Sequence, residues 1–208
     1  MIDEIYLLLD SFIQTVMTSR FLLLSSTFLF LFSCTKENSK VQDPVDRNPP
    51  TLEVPFVGTA SVQVFTGFGF PLTGSGSPCQ GYAITLADTQ IRVLSPIAGL
   101  VWQIQETENQ EFDILLKKNT ASLYTIRLKH VVRPGIQEGD YVTAGAILGK
   151  VNAQGLAYLE VQSDSRYNCP SALGNAGFNY AFDQALIRSN TLNADSTYTT
   201  VCLQPYLP

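Results

Sequence analysis

Between residues 56 and 162 the apolar positions recur mostly at every second residue, in short runs broken by glycine, proline and polar pairs. Residues 61–70 (SVQVFTGFGF) alternate, and PLTGSGSP after them reads as a loop. GYAITL, IRVLSP, GLVWQIQ, EFDILLKK and SLYTIRLKHVV follow as strand candidates rich in β-branched and aromatic residues, and YVTAGAILGKV and LAYLEVQ close the series. In the run 124–130, Tyr124, Ile126, Leu128 and His130 fall on one face and Thr125, Arg127 and Lys129 on the other. Pro134-Gly135 and Glu138-Gly139-Asp140 mark turns. No helical period appears until NYAFDQALIRSN, near residue 179, which predicts a short helix. Many short strands with closely spaced turns predict an all-β fold, a small barrel or sandwich over 56–162, with a C-terminal extension over 163–208.

The first 55 residues carry a different pattern. Residues 21–33 (FLLLSSTFLFLFS) are thirteen apolar or small residues behind a single basic residue, Arg20. A bilayer span needs about 20 apolar residues, so this run suits the core of a signal peptide. It ends in Leu31-Phe32-Ser33-Cys34, which resembles the lipobox of bacterial lipoproteins; the resemblance implies removal of residues 1–33 and a lipid on Cys34. Asp3, Glu4 and Asp10 give residues 1–16 the wrong charge for a signal peptide, so Met17 is the expected start. Residues 34–55 are polar and proline-rich and are expected to form a flexible tether. Thr35 stands where an aspartate would retain a lipoprotein at the inner membrane, so the expected location is the cell envelope, anchored at the outer membrane.

Charge and cysteine content narrow the chemistry. Subtracting Arg20 from 13 Lys and Arg, and Asp3, Glu4 and Asp10 from 18 Asp and Glu, leaves 12 against 15 beyond Cys34. There is no basic cluster, which argues against nucleic acid as a partner. Cys79, Cys169 and Cys202 allow one bridge and one remaining thiol. A bridge from Cys169 to Cys202 is favoured over one from Cys79, and no pair of cysteines has the short spacing of a zinc site.

Ser95-Pro96-Ile97-Ala98-Gly99-Leu100-Val101, followed at a distance by Gln137-Glu138-Gly139-Asp140-Tyr141-Val142-Thr143-Ala144-Gly145-Ala146-Ile147-Leu148-Gly149, forms a specific pattern. It resembles the signature shared by lysostaphin/LytM-type zinc metallopeptidases and lipoyl- or biotinyl-type barrels. Leu128-Lys129-His130-Val131 sits where the peptidases have a Tyr-x-His-Leu strand, and Leu156-Ala157-Tyr158-Leu159-Glu160-Val161 where they have a closing His-Leu-His-Phe-Glu strand. Lys150 lacks the motif that flanks a carrier lysine, which favours the peptidase-like reading.

The resemblance implies zinc held by a His-x-x-x-Asp motif and the second histidine of His-x-His. At those positions this chain has Gly81, Thr85 and Tyr158, with Leu156 at the first histidine of the pair. The whole chain has one histidine, His130, whereas a hydrolytic zinc takes three protein ligands. The resemblance therefore implies a catalytically silent domain without metal or cofactor. Its expected role is to bind peptidoglycan or an envelope protein through the former groove, walled by Tyr82, Thr85, His130, Leu156 and Tyr158. Glu160 is the remnant of the closing glutamate and is expected to pair with a cation or accept hydrogen bonds. Two other readings stand beside this one. The first is an active metalloendopeptidase with atypical ligands, His130 with Asp88, Glu160 or Cys79. The second is a structural lipoprotein without ligand.

Overall fold

The computed structural model describes residues 44–56, 61–72, 74–193 and 198–208, and residues 44–208 form one compact unit. The signal-peptide run and Cys34 lie outside the described residues. The strands are β1 (Val62–Thr66), β2 (Gly81–Leu86), β3 (Arg92–Leu94), β4 (Gly99–Glu106), β5 (Glu111–Lys117), β6 (Tyr124–Val132), β7 (Tyr141–Val142), β8 (Ile147–Val151), β9 (Leu156–Ser163), β10 (Arg166–Asn168) and β11 (Tyr206–Leu207). They build one antiparallel sheet whose main path runs β1-β2-β9-β6-β5-β4-β7. Strand β8 branches from β6 and carries β3, while β10 branches from β9 and carries β11. The all-β class holds, with a sheet that bends over its core without closing on itself.

The core follows the period-two pattern of the strands. Tyr82, Ile84 and Leu86 of β2 and Ala157, Leu159 and Val161 of β9 are buried on one side. Gly81, Ala83 and Thr85, opposed to Glu160, Tyr158 and Leu156, lie on the other. Gly81 is required by the closeness of this pairing: a Cβ there would collide with the carbonyl oxygen of Leu159.

The single described α-helix, α1 (Ala176–Leu192), starts at Asn175, whose side chain accepts the Phe178 N–H at 2.7 Å. Its buried residues Phe178, Phe182, Ala185, Leu186 and Ser189 recur at helical spacing and form one stripe. Phe178 and Phe182 pack with Phe65 and Tyr82 in an aromatic cluster, with Tyr82 4.7 Å from Phe182 and 5.2 Å from Phe65 between ring centroids. Within the C-terminal extension, α1 thus shares the core of the sheet. Helix α1 also covers the edge of β1. Ser189 Oγ accepts the Phe65 N–H at 2.9 Å, while Arg188 Nε and Asn193 Nδ2 donate to the carbonyls of Val62 and Gln63. A disulfide joins Cys169 to Cys202 beside the Tyr82 hydroxyl, and the Cys79 thiol is free and buried.

The expected tether is corrected over its described part. Residues 44–55 lie along the domain, with Leu52 and Phe56 buried. The Leu52 N–H donates to Leu173 O, the Glu53 N–H to Pro96 O, and the Asn175 N–H to Leu52 O. The Leu94 N–H donates to Pro55 O, and Phe56 bridges to Val93, so this segment covers the outer edge of β3. Leu52, Val54 and Phe56 supply the apolar side chains that make docking favourable.

Two substitutions test this description. Leu52→Ala should cost about 2–5 kcal/mol in urea unfolding, the range for a buried leucine, rather than the few tenths expected of a free linker. Gly81→Ala should cost at least about 1–3 kcal/mol by the same measurement, because β2 and β9 must separate to admit the methyl group. A neutral Gly81→Ala variant would show that the strands are less tightly apposed than described.

Candidate functional site

The groove lies on the solvent side of the β1-β2-β9 pairing. It encloses about 380 Å³ and is lined by Val64 and Thr66 of β1, Ala83 and Thr85 of β2, Leu156 and Tyr158 of β9, Leu72 and Ser75 of the loop before β2, and His130 of β6. Ile84 and Ala157 also reach it, so β2 and β9 each line the groove with three consecutive residues. Thr85, His130, Leu156 and Tyr158 come together as the sequence implied.

Tyr82 does not join them. It is 0% exposed and sits in the aromatic cluster against α1, its phenol pushed well above the usual range by burial. The alternation of Gly81-Tyr82-Ala83-Ile84-Thr85-Leu86 carried the signal, because Tyr82 shares parity with Ile84 and Leu86.

The positions that the family resemblance assigns to zinc ligands share one face. Tyr158 pairs with Ala83, midway between Gly81 and Thr85. Gly81, Thr85 and Tyr158 therefore share a face along the paired strands, and none brings an imidazole or carboxylate. At Gly81 the Leu159 carbonyl occupies the space of any side chain. The Tyr158 hydroxyl is tied down, accepting the Gln80 N–H at 3.1 Å and lying 3.3 Å from the Cys79 sulfur. Burial, with the Cys79 contact behind it, pushes the Tyr158 phenol well above its ordinary value; burial likewise pushes the Cys79 thiol up. Neither group is poised to ionise, so Cys79 is a structural thiol rather than a nucleophile.

Beyond Tyr158 the same face becomes charged. Glu160 is 3% exposed and accepts from Lys129 Nζ at 2.6 Å, with Arg127 Nη1 3.9 Å from its other oxygen. Lys129 Nζ also stands 4.7 Å from the centre of the Tyr158 ring, a cation–π contact. Arg127 reaches Asp113 at 3.9 Å and donates to Gln105 at 3.2 Å. Glu160 therefore lies beside the groove as the buried centre of an ion-pair network. Asp88 accepts the Gln90 N–H in the turn after β2. Among the described residues, no three His, Cys, Asp or Glu side chains gather as a metal-binding group.

His130 departs from the strand pattern. Its φ of +64° is left-handed, costly for a residue with a Cβ, and the pairing of β5 with β6 shifts register between Phe112 and Ile114 beside it. The bulge ends the alternation of Tyr124, Ile126 and Leu128, so Val131 rather than His130 is the next residue in the core. The ring is instead half-buried on the groove side, with Nδ1 2.7 Å from Glu111 Oε2. Glu111 Oε1 in turn accepts from Asn152 Nδ2 at 2.8 Å. Sequence reading did not find Glu111 or Asn152, since they join His130 only through the bulge and the β8–β9 turn. Trp102 on β4 is exposed, with Lys117 Nζ 4.5 Å from its ring centre.

Neither a family model nor a curated protein matches the sequence. Solved structures do. A chain of the SpoIIQ–SpoIIIAH pore-forming complex superposes with a TM-score of 0.50 at 14% identity, covering 62% of this chain and 93% of that one. Csd3 of Helicobacter pylori gives 0.49 at 19% identity over 62% of this chain and 36% of its own. The catalytic domain of lysostaphin from Staphylococcus simulans gives 0.41 at 15% identity over 51% and 86%. At 14% identity the first likeness shows architecture alone: the domain shares the fold of that chain of the SpoIIQ–SpoIIIAH complex, and it is the sequence resemblance to lysostaphin/LytM-type proteins that assigns Gly81, Thr85 and Tyr158 to zinc-ligand positions.

Proposed function

We propose that this chain is a lipid-anchored, outer-membrane protein of the bacterial envelope whose LytM-like domain binds peptidoglycan or an envelope protein through its groove and does not cleave it. The observation that carries the reading is the content of the ligand positions. Hydrolysis in this fold depends on a zinc-bound water, and acidifying that water needs a metal fixed by several imidazole or carboxylate ligands. A glycine under a carbonyl, a threonine and a hydrogen-bonded tyrosine cannot supply them. What remains is a neutral trough with an aromatic floor and oriented polar groups at its ends, suited to contact with a ligand or partner. The fold's occurrence in a chain of the SpoIIQ–SpoIIIAH complex supports protein contact as one use of such a domain.

The test uses the full chain purified from membranes in mild detergent. Metal analysis by mass spectrometry should find far less than one zinc per chain, and incubation with cell-wall sacculi and added zinc should release no muropeptides. Sedimentation with sacculi, or cross-linking to an envelope protein in cells, should be weakened by Thr85→Arg, which fills the groove. Stoichiometric zinc with muropeptide release, both lost in His130→Ala, would overturn the proposal. The anchor is tested separately. Cys34→Ser should abolish incorporation of labelled fatty acid and leave an unprocessed precursor; unchanged labelling would remove Cys34 as the lipid site.

A further inference from the structure

The groove is lined by one imidazole, His130, and a chain of fixed contacts decides what that ring offers. The chain starts at the β8–β9 turn. There the Gln154 and Leu156 N–H groups donate to Asn152 Oδ1 at 3.1 and 2.8 Å. Two backbone donors on Oδ1 settle the orientation of the buried amide, so its NH2 end faces Glu111. Glu111 Oε1 accepts from that NH2, and its other oxygen lies 2.7 Å from His130 Nδ1. An ionised carboxylate can only accept. The proton of a neutral His130 ring must therefore sit on Nδ1, which leaves Nε2 as a bare acceptor. Nε2 has no hydrogen-bond partner among the described residues, while the ring lines the groove.

We infer that His130, held as its Nδ1–H tautomer by Glu111 and Asn152, is a specificity-determining acceptor at the end of the groove, taking an amide N–H of the bound partner. The inference rests on the groove being the contact surface, and it adds the chemistry of one subsite. A ring carrying its proton on Nε2 instead would offer a donor there and could not accept an N–H.

The other charged groups near the ring do not compete for this role. Glu111 on β5 is its bonded partner. Lys129, the preceding residue on β6, is bound to Glu160 and lies over Tyr158 of β9. Lys150 on β8, paired with Val132, donates to Gln90, and Arg133 follows β6 in an exposed left-handed turn. The left-handed backbone at His130 fits the same reading, since a strained conformation held in place by its surroundings commonly marks a side chain aimed for use.

Because the chain has one histidine, nitrogen-15 NMR of the full-length protein reads a single imidazole. At about pH 8 the free protein should show a protonated Nδ1 and an unprotonated Nε2. Glu111→Gln should reverse this. Asn152 still donates, so the new amide must turn its oxygen toward Asn152 and its NH2 toward Nδ1, moving the ring proton to Nε2. A wild-type ring protonated on Nε2 would overturn the tautomer assignment whatever the domain binds.

The ligand arm uses N-methylacetamide, with N,N-dimethylacetamide as the control that lacks the N–H. The Nε2 resonance should respond to the first and not to the second. Glu111→Gln, which moves the ring proton to Nε2, should weaken N-methylacetamide about fivefold, the worth of one hydrogen bond. Equal responses to the two amides, or unchanged affinity in Glu111→Gln, would overturn the acceptor role. Neither result would bear on zinc content or sacculus cleavage, so failure here is distinguishable from failure of the proposed function.

Discussion

The antiparallel pairing of β2 with β9 is the constraint on which the rest of the molecule depends. Five consecutive residue pairs, from Gly81 with Glu160 to Thr85 with Leu156, place every odd residue of β2 on the groove and every even one in the core. The two faces cannot be altered independently. A one-residue slip of β2 would bring Tyr82 to the groove face and turn Ala83 and Thr85 toward the core in its place. The slip is opposed at both ends, by Gly81 fitted under the Leu159 carbonyl and by Gly155 fitted under the Leu86 carbonyl. On the core side the pairing presents Tyr82 to Phe65, Phe178 and Phe182, and this cluster holds α1 against the sheet. Helix α1 then satisfies the backbone of β1, which forms the groove's outer wall. Core, helix and groove wall are successive consequences of one register.

The same register places a buried carboxylate on this face and brings its partners from the next strand. Glu160 lies almost wholly buried, and an unpaired carboxylate there would be expensive. Lys129 and Arg127 arrive from β6, directly across from Tyr158 and Glu160, and neutralise it. The aromatic ring of Tyr158 covers the aliphatic and ammonium parts of Lys129, so the charge network and the neutral trough meet without a stranded polar group. A buried ion pair of this kind contributes little net stability but strongly disfavours arrangements that separate its members. It therefore fixes the face rather than strengthening it.

Much of the fold was legible because β2, β4, β5, β6 and β9 alternate over six residues or more, long enough for period two to stand out. Strands β10 and β11 were not, since three- and two-residue strands carry no period and exist only through pairing with each other and with β9. The docked segment 44–55 was read as a tether from its prolines and charges, although Leu52, Val54 and Phe56 alternate within it. Composition outweighed a short pattern that tertiary contacts then used. At the site, the residues on β2 and β9 could be paired by family resemblance. The bulge at His130 could not be foreseen, because nothing in LKHVV announces a left-handed residue. Without the bulge there is no route to Glu111 or Asn152, which lie 19 residues before and 22 after the histidine.

The treatment of strand edges bears on how such a domain can meet a partner. An exposed strand of five residues offers unpaired N–H and C=O groups that invite strand addition. In the described residues, β1 has its free edge occupied by side chains of α1, and β3 has its edge occupied by Pro55 and Phe56. The edges at β7 and β11 are two residues long, too short to template another strand, and β4 beyond Val101 pairs only with β5, its Ile104 N–H taken by the Glu138 carboxylate. Backbone pairing is thus closed off along β1 and β3, the edges nearest the groove and the docked segment. Recognition is left to side chains, and the concave face that gathers neutral side chains, an aromatic ring and an oriented imidazole is the groove on β1, β2 and β9. That is the reason to place the proposed contact there rather than at Tyr141 and Trp102, which are exposed on β7 and β4.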